Sequence, residues 1–314
     1  MPAISSSQSF SDCQCESSAQ HLIRRLIWKM AIATFILMAI GSATRVMNAG
    51  LACPDWPLCY GTLIPTQQMN LQVFLEWFHR LDAALIGVMA IALTSLSWWH
   101  RHHVPNWLPW VSTLALGLVC FQGLLGGLTV TELLRFDIVT AHLGTALLFF
   151  ATLLISGTLL LPRQRHTDSS GTNGNTALPW ISLVAAILVY LQSLSGGLVG
   201  SRWALHQCLN LSSLCTVMNS HLIGVVPASV SVLAVGIWAW RTPDLALHVR
   251  RLANLAGLFL GMQILLGVLT FRLHLQVEVL TVSHQAVGAA LFGTLVCLTV
   301  ISLRDRSTSR LQTS

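Results

Sequence analysis

Charged residues are scarce in this 314-residue sequence: Asp, Glu, Lys and Arg together make up 9% of it, against about 25% in soluble domains. Hydrophobic residues make up 54%, and the mean hydropathy is +0.68. So little charge cannot cover the surface of a water-soluble protein of this length, which excludes that class. The composition is that of a polytopic membrane protein.

A concentrated basic region is also missing. The net charge is +6, but the basic residues are dispersed between apolar runs, which argues against nucleic acid as a partner. Residues 1–20 lack the charged segment followed by an apolar run that marks a signal peptide, and they are polar and rich in serine. We therefore expect residues 1–25 to be a disordered cytoplasmic tail, with a second cytoplasmic tail at 304–314.

Eight apolar runs are long enough to cross a lipid bilayer, which takes about 20 residues. The predicted spans are 26–46, 74–97, 108–130, 139–161, 180–200, 217–240, 252–272 and 280–302. The longest polar break on its side of the membrane lies at 163–179. We predict an all-α membrane protein whose eight transmembrane helices form two tandem, pseudo-symmetric four-helix bundles, at 26–162 and 180–303, joined by a cytoplasmic linker at 163–179.

The distribution of basic residues predicts the orientation, because such residues concentrate on the cytoplasmic side of membrane proteins. With a cytoplasmic N-terminus, twelve of the 17 Lys and Arg residues fall in cytoplasmic segments and five fall outside. We therefore expect both termini to face the cytoplasm. The even-numbered spans then run from the outside to the inside.

An internal repeat relates the two halves of the chain. His79 and His142 are 63 residues apart (142 − 79), and His221 and His284 are also 63 apart (284 − 221). The segment at 122–129 recurs at 263–270. Each histidine comes shortly after the start of an even-numbered span, so all four are expected at a similar depth near the outer surface. Such a parallel repeat is related by an axis along the membrane normal.

Histidines facing each other at one level of a helical bundle are what a six-coordinate haem iron requires. The repeat therefore predicts two haem sites, His79 with His142 and His221 with His284. Hydrogen bonds between helices, a proton relay and a non-haem metal site are the alternatives for these histidines.

Glycines four residues apart occur on two of the odd-numbered spans, at Gly123 and Gly127 and at Gly196 and Gly200. Small residues at this spacing allow transmembrane helices to approach closely. We expect them to serve helix packing, and making room for a macrocycle is the alternative.

One acidic residue distinguishes the halves. Glu76 precedes His79 by three residues and shares its helix face, whereas the uncharged Met218 stands three residues before His221. An ionisable residue inside a membrane is expensive and suggests a functional site. The asymmetry suggests chemistry in the N-terminal half and a supporting cofactor in the C-terminal half. A structural role for Glu76, as the partner of Arg80 or of the helix N-terminus, is the alternative.

Cysteine pairs occupy corresponding outer loops, Cys53 with Cys59 and Cys208 with Cys215. An oxidising exterior makes a disulfide plausible in each loop. Such a bond would be a structural staple, or the first pair would exchange thiol and disulfide above the first haem site.

Together these motifs resemble the haem A synthase family. The resemblance rests on GSATR at 41–45, GLACPDWPLCYG at 50–61 and EWFHR at 76–80, with NSH at 219–221 and SH at 283–284. It extends over nearly the whole chain beyond residue 20. It implies haem O as the substrate between His79 and His142, haem b as the cofactor between His221 and His284, and Glu76 as the catalytic carboxylate.

The resemblance also implies an activity, an oxidoreductase of haem biosynthesis. Such an enzyme oxidises the C8 methyl of haem O to a formyl group, which gives the haem A used by terminal oxidases. Haem O synthase is the expected protein partner and the plasma membrane the expected location. The electron acceptor and a homo-oligomeric state are left open. A di-haem b electron carrier linked to quinol is the competing function.

Overall fold

The computed structural model of the chain describes residues 18–162, 177–200, 213–243, 245–274 and 276–312, with side chains except at 213–215 and 306–312. Each of the eight helices within these ranges is long and apolar enough to cross a membrane. The described ranges contain no strand, only an isolated bridge between Cys59 and Thr62. The predicted all-α fold with eight spans is confirmed. The helices are α1 (Ser18–Val46), α2 (Leu71–Trp99), α3 (Leu108–Thr131), α4 (Phe136–Leu159), α5 (Leu178–Val199), α6 (Ser213–Arg241), α7 (Leu247–Arg272) and α8 (Glu278–Gln312).

Local sequence explains where several helices begin. Asn70 caps α2, because its side chain accepts a hydrogen bond from the backbone N of Val73 at 2.9 Å, which satisfies one of the free N–H groups of the first turn. Pro109 and Pro179 stand in the first turns of α3 and α5, where the missing N–H leaves no helical bond unmade.

The helices form two rings of four. Helix α1 packs against α2 and α4, and α3 packs against the same two helices. Helices α5 to α8 repeat this arrangement. The two rings meet where α8 packs against α1 and α4 and where α4 packs against α5. In each ring the even-numbered helices therefore stand diagonally opposite each other. We call the end of the molecule at which these even-numbered helices begin the disulfide end, since it carries the loop at 47–70.

Helix α8 is the most enclosed of the eight. Leu291, Leu295 and Leu298 are fully buried on it, and Gly293 lets it approach α4, since a Cβ at that position would lie 2.9 Å from atoms of Phe150 and Leu154. The outer surfaces of the rings are apolar as well: Val88, for example, is 62% exposed. An apolar exposed surface is what a protein needs in contact with lipid.

Two helices, α1 and α8, extend furthest beyond the boundaries expected from the sequence. Helix α1 begins at Ser18 rather than at residue 26, because Ile23 is buried in the core and Arg24 donates to the carbonyl oxygen of Leu160 at 3.3 Å. Helix α8 continues to Gln312 beyond residue 303, and Arg304 donates to the carbonyl oxygens of Thr158 and Leu161. Most of the expected N-terminal tail and residues 163–176 of the expected linker lie outside the described residues.

Candidate functional site

Both histidines of the first ring lie on diagonal helices and pack against a glycine of the preceding helix. His79 on α2 lies so close to Gly41 on α1 that a Cβ at Gly41 would be 2.7 Å from its Cε1. His142 on α4 faces Gly126 on α3, where a Cβ would be 3.6 Å from Cε1 of His142. The structure thus places the first predicted pair on diagonally opposite helices of one ring, each packed against the preceding helix.

The second ring repeats this contact. A Cβ built at Gly196 on α5 would lie 2.9 Å from Cε1 of His221 on α6, and one at Gly267 on α7 would lie 2.9 Å from Cε1 of His284 on α8. All four histidines therefore use one packing arrangement, and Gly196 contributes to it by giving room to an imidazole.

A glutamine one helical turn before the glycine contacts three of the four histidines. Gln122 donates to the carbonyl oxygen of His142 at 2.8 Å, and Gln192 does the same to His221 at 2.8 Å. Nε2 of Gln263 lies 3.3 Å from Nε2 of His284. Leu37 occupies the corresponding position four residues before Gly41, so no glutamine side chain contacts His79 from α1.

The ring of His221 has the most complete hydrogen bonding. Its Nδ1 lies 3.0 Å from Nε2 of Gln192 and 2.9 Å from Oγ of Ser195. Bonds of this kind from outer-shell groups orient the imidazole of a metal ligand and select its tautomer.

Buried ring nitrogens without hydrogen bonds fit a haem in these positions. Nδ1 of His79, His142 and His284 is buried and makes no hydrogen bond of ordinary geometry to the described residues. A buried polar atom left in that state is costly unless a ligand satisfies it or orients its ring. Across the described ranges, His, Cys, Asp and Glu form no group of three that could bind a metal ion. Paired imidazoles are the donor set of a bis-histidine haem, which the residues present therefore fit.

Glu76 lies on α2 one helical turn before His79, toward the disulfide end, and is buried, with 3% of its surface exposed. Its Oε2 accepts a hydrogen bond from the backbone N of Cys53 at 2.8 Å, and its Oε1 accepts one from Nη2 of Arg80 at 2.5 Å. The carboxylate thus pairs with Arg80 at i, i+4, as the structural alternative expected. It also joins α2 to the loop at 47–70.

The loop at 47–70 is folded tightly over the first ring. Cys53 and Cys59 form the predicted disulfide and are buried. Arg80 donates to the carbonyl oxygen of Asp55 at 2.6 Å. The Asp55 carboxylate accepts from the backbone N atoms of Gly61 and Tyr60, and these bonds, the one from Gly61 above all, hold the pKa of that carboxyl below its usual value.

Trp56 extends this loop down to α3. Its ring lies 3.3 Å from the position of a Cβ at Gly127, so Gly127 serves packing rather than space for a macrocycle. Of the second predicted disulfide, Cys208 and the side chain of Cys215 lie outside the described residues, so that pair stays a prediction.

Of the four glycines that contact histidines, sequence reasoning gave a packing role only to Gly196, and it gave no role to the glutamines. The signal was present in the repeat, because Gln and Gly are separated by four residues at 122 and 126, at 192 and 196, and at 263 and 267. On α1 the residues at the equivalent positions are Leu37 and Gly41.

Comparisons with known proteins match almost the whole chain. Residues 24–296, which include the four histidines, Glu76, Cys53 and Cys59, match the COX15-CtaA family model, described as cytochrome oxidase assembly protein. The chain is similar to curated proteins with the name heme A synthase. It is 27% identical to that of Shewanella oneidensis, over 91% of this chain and 99% of the relative. It is 23% identical to that of Lysinibacillus sphaericus, over 92% and 99%, and 24% identical to that of Shouchella clausii, over 89% and 96%.

Proposed function

Because the chain belongs to the COX15-CtaA family of cytochrome oxidase assembly proteins, we propose that it is a haem A synthase, a membrane oxidoreductase that converts haem O to haem A. The names of its relatives and their match over almost the whole chain support this function. The observation that carries it is the repeated histidine pair with a buried acid beside only one of the two pairs.

In this proposal the two rings have different tasks. His79 and His142 bind the iron of the substrate, haem O. His221 and His284 bind haem b, which supplies a one-electron relay when it is present. The full hydrogen bonding of His221 by Gln192 and Ser195 suits a cofactor that stays in place. The sparser surroundings of His79 suit a substrate that enters and a product that leaves.

The reaction is a four-electron oxidation of a methyl group. With water as the source of oxygen, the methyl carbon and one water give a formyl group, four protons and four electrons. The intermediates are a hydroxymethyl group and a hydrated aldehyde that loses water. The electrons pass to an acceptor in the membrane, such as a quinone, or to dioxygen.

Glu76 is the proposed catalytic carboxylate. A carboxylate near the edge of the substrate ring can accept a proton from an attacking water, and it can stabilise positive charge that develops at the reacting carbon. The two hydrogen bonds that Glu76 accepts from Cys53 and Arg80 fix its position. Such a fixed orientation is what electrostatic stabilisation requires, since no reorganisation is then needed during the reaction.

Extraction of the pigments tests the function directly. The full-length protein is produced in cells that also make haem O, purified, and its haems are separated by chromatography. Haem A, or haem O with a hydroxylated methyl group, is the expected product. Haem b alone in both sites would contradict the enzyme and support the competing di-haem electron carrier.

The proposal extends to location and partners. Eight spans with most basic residues at the end opposite the disulfide fit a multi-pass protein of the plasma membrane with both termini in the cytoplasm. Haem O synthase is the expected partner, because a poorly soluble substrate is better transferred directly than released. A reporter enzyme that is active only in the cytoplasm should be active when it is fused to either terminus. An inactive fusion at either end would contradict this orientation.

A further inference from the structure

Arg45 stands in the last turn of α1, and its side chain reaches the other ring. Its Nη1 donates to the carbonyl oxygen of Gly197 on α5 at 3.3 Å, and its Nη2 donates to Oε1 of Gln285 on α8 at 3.3 Å. The guanidinium of the N-terminal half therefore lies in the C-terminal half, at the disulfide end.

This guanidinium has no acidic partner among the residues that the structure describes, where the carboxylates near Arg and His belong to other pairs. Its Nε is buried and makes no hydrogen bond to them. The adjacent segment at 201–212 contains neither Asp nor Glu. An arginine inside a membrane protein without a counter-charge is expensive. Its two bonds to neutral oxygens are also longer than the roughly 2.8 Å of a guanidinium bonded to a carboxylate.

The neighbours of Arg45 are the residues directly after the two histidine contacts of the second ring. Gly197 follows Gly196, which packs against His221, and Gln285 follows His284. The guanidinium therefore lies beside the predicted haem b site. A haem carries two propionate carboxylates, so a haem between these histidines would bring an anion to this neighbourhood.

The internal repeat explains why the C-terminal half receives this arginine. Arg45 follows Gly41 by four residues, and the residue four after Gly196 is Gly200. A Cβ at Gly200 would lie 2.7 Å from Nη2 of Arg45. The side chain missing at Gly200 thus leaves the space that the guanidinium of Arg45 fills.

We propose that Arg45 binds a propionate carboxylate of the haem in the C-terminal ring and so anchors that haem from the opposite half of the chain. This inference rests on the proposed haem b site at His221 and His284. It gives a binding role to Arg45, the last residue of the 41–45 segment, which has no role among the proposed iron ligands or in the proposed role of Glu76.

Haem retention tests the proposal in the full-length protein. The background is His79→Ala, produced in cells that lack haem O, so that haem b occupies only the C-terminal site. Loss of haem to excess apomyoglobin is then followed by absorbance. A hydrogen bond to a charged group contributes about 1.5–3 kcal/mol, so Arg45→Gln should lose haem at least about tenfold faster. Arg45→Lys should give a smaller increase, because it keeps the charge.

Arg272→Gln is the matched control. Arg272 also stands in the last turn of an odd-numbered helix at the disulfide end, but it is exposed. It should retain haem like the unsubstituted protein. Equal rates for Arg45→Gln and Arg272→Gln, both close to that of the parent, would overturn the role of Arg45 and leave the haem site intact. A parent protein purified without haem b would overturn the proposed cofactor as well.

Two further measurements distinguish loss of the propionate contact from a general disturbance of the fold by Arg45→Gln. Gly200 has an ordinary helical backbone, with φ −71°, and the guanidinium of Arg45 is its nearest side-chain neighbour, so Gly200→Ala should displace that guanidinium and also speed haem loss. Iron protoporphyrin dimethyl ester, in which both propionates are blocked, should bind the apoprotein with Arg45 about tenfold more weakly than haem does. With Arg45→Gln this preference should vanish, and a preference that persists contradicts the proposal.

Discussion

The two rings place imidazoles over glycines in the same way, yet their surroundings differ. In the C-terminal ring both histidines have a glutamine neighbour, Gln192 or Gln263, and Arg45 arrives from the other half. In the N-terminal ring Leu37 replaces one glutamine, and Glu76 joins the disulfide loop instead. The difference supports the proposal that a duplicated frame keeps its histidine–glycine packing in both copies, while one copy holds a resident cofactor and the other carries out the chemistry.

Replacement of Glu76, the acid beside the first histidine pair, should have the largest effect of the changes that test this comparison. Glu76→Gln should lower haem A formation by about 10²–10⁴-fold, the range of general acid–base catalysis. Total haem should stay nearly constant, since glutamine keeps an oxygen that can accept from the backbone N of Cys53. Chromatography of extracted haems measures both quantities.

Glu132→Gln is the control for this prediction, because Glu132 is an exposed acid paired with Arg135 at the same end of the molecule. It should leave haem A formation unchanged. Normal haem A formation by Glu76→Gln would remove Glu76 from the mechanism.

Replacement of one cofactor ligand tests the division between the rings. His221→Met should change the absorption spectrum and raise the reduction potential of the C-terminal haem, because a Met ligand favours ferrous iron. Loading of haem O in the first ring should continue. His274→Met is the control, since His274 is exposed at the same end. If His221→Met empties the first ring, the two-site division is wrong.

The glycines under the histidines test whether the rings share one packing rule. Gly41→Ala, Gly196→Ala and Gly267→Ala should each lower the haem content of their own ring, because the new methyl would lie 2.7 to 2.9 Å from an imidazole carbon. Overpacking of this kind costs about 1–3 kcal/mol. Gly126→Ala is the internal control, since its contact would be an ordinary 3.6 Å. A loss of haem with Gly126→Ala equal to that with Gly41→Ala would contradict the rule.

The smallest expected effect comes from making the rings more alike. Leu37→Gln should supply the fourth glutamine and slow the release of haem from the first ring roughly fivefold, which corresponds to one hydrogen bond of about 1 kcal/mol. Leu37→Met controls for the change of side chain without adding a donor. Release is followed by transfer to apomyoglobin, and equal rates for both variants would show that the difference at this position has no role.

The sequence predicted the helices and the histidine positions better than the contacts that surround the histidines. Eight spans and the four histidines were accessible because apolar length and a 63-residue spacing are properties of the chain itself. The bond between Glu76 and the backbone of Cys53 was not, since it depends on how a 24-residue loop (47 to 70) folds back. The direction of Arg45 was equally hidden, because no periodicity indicates that a side chain of α1 crosses to α5 and α8.

The position of α8 has a consequence for biogenesis. Helices α1 and α4 of the first ring pack against it, although it is the last span to leave the ribosome. Until α8 is synthesised, the first ring has an uncovered flank, so its final shape depends on that span. If each ring binds a haem as proposed, both haems are inserted only after α8 is made, and a chain truncated before residue 278 should bind haem in neither ring.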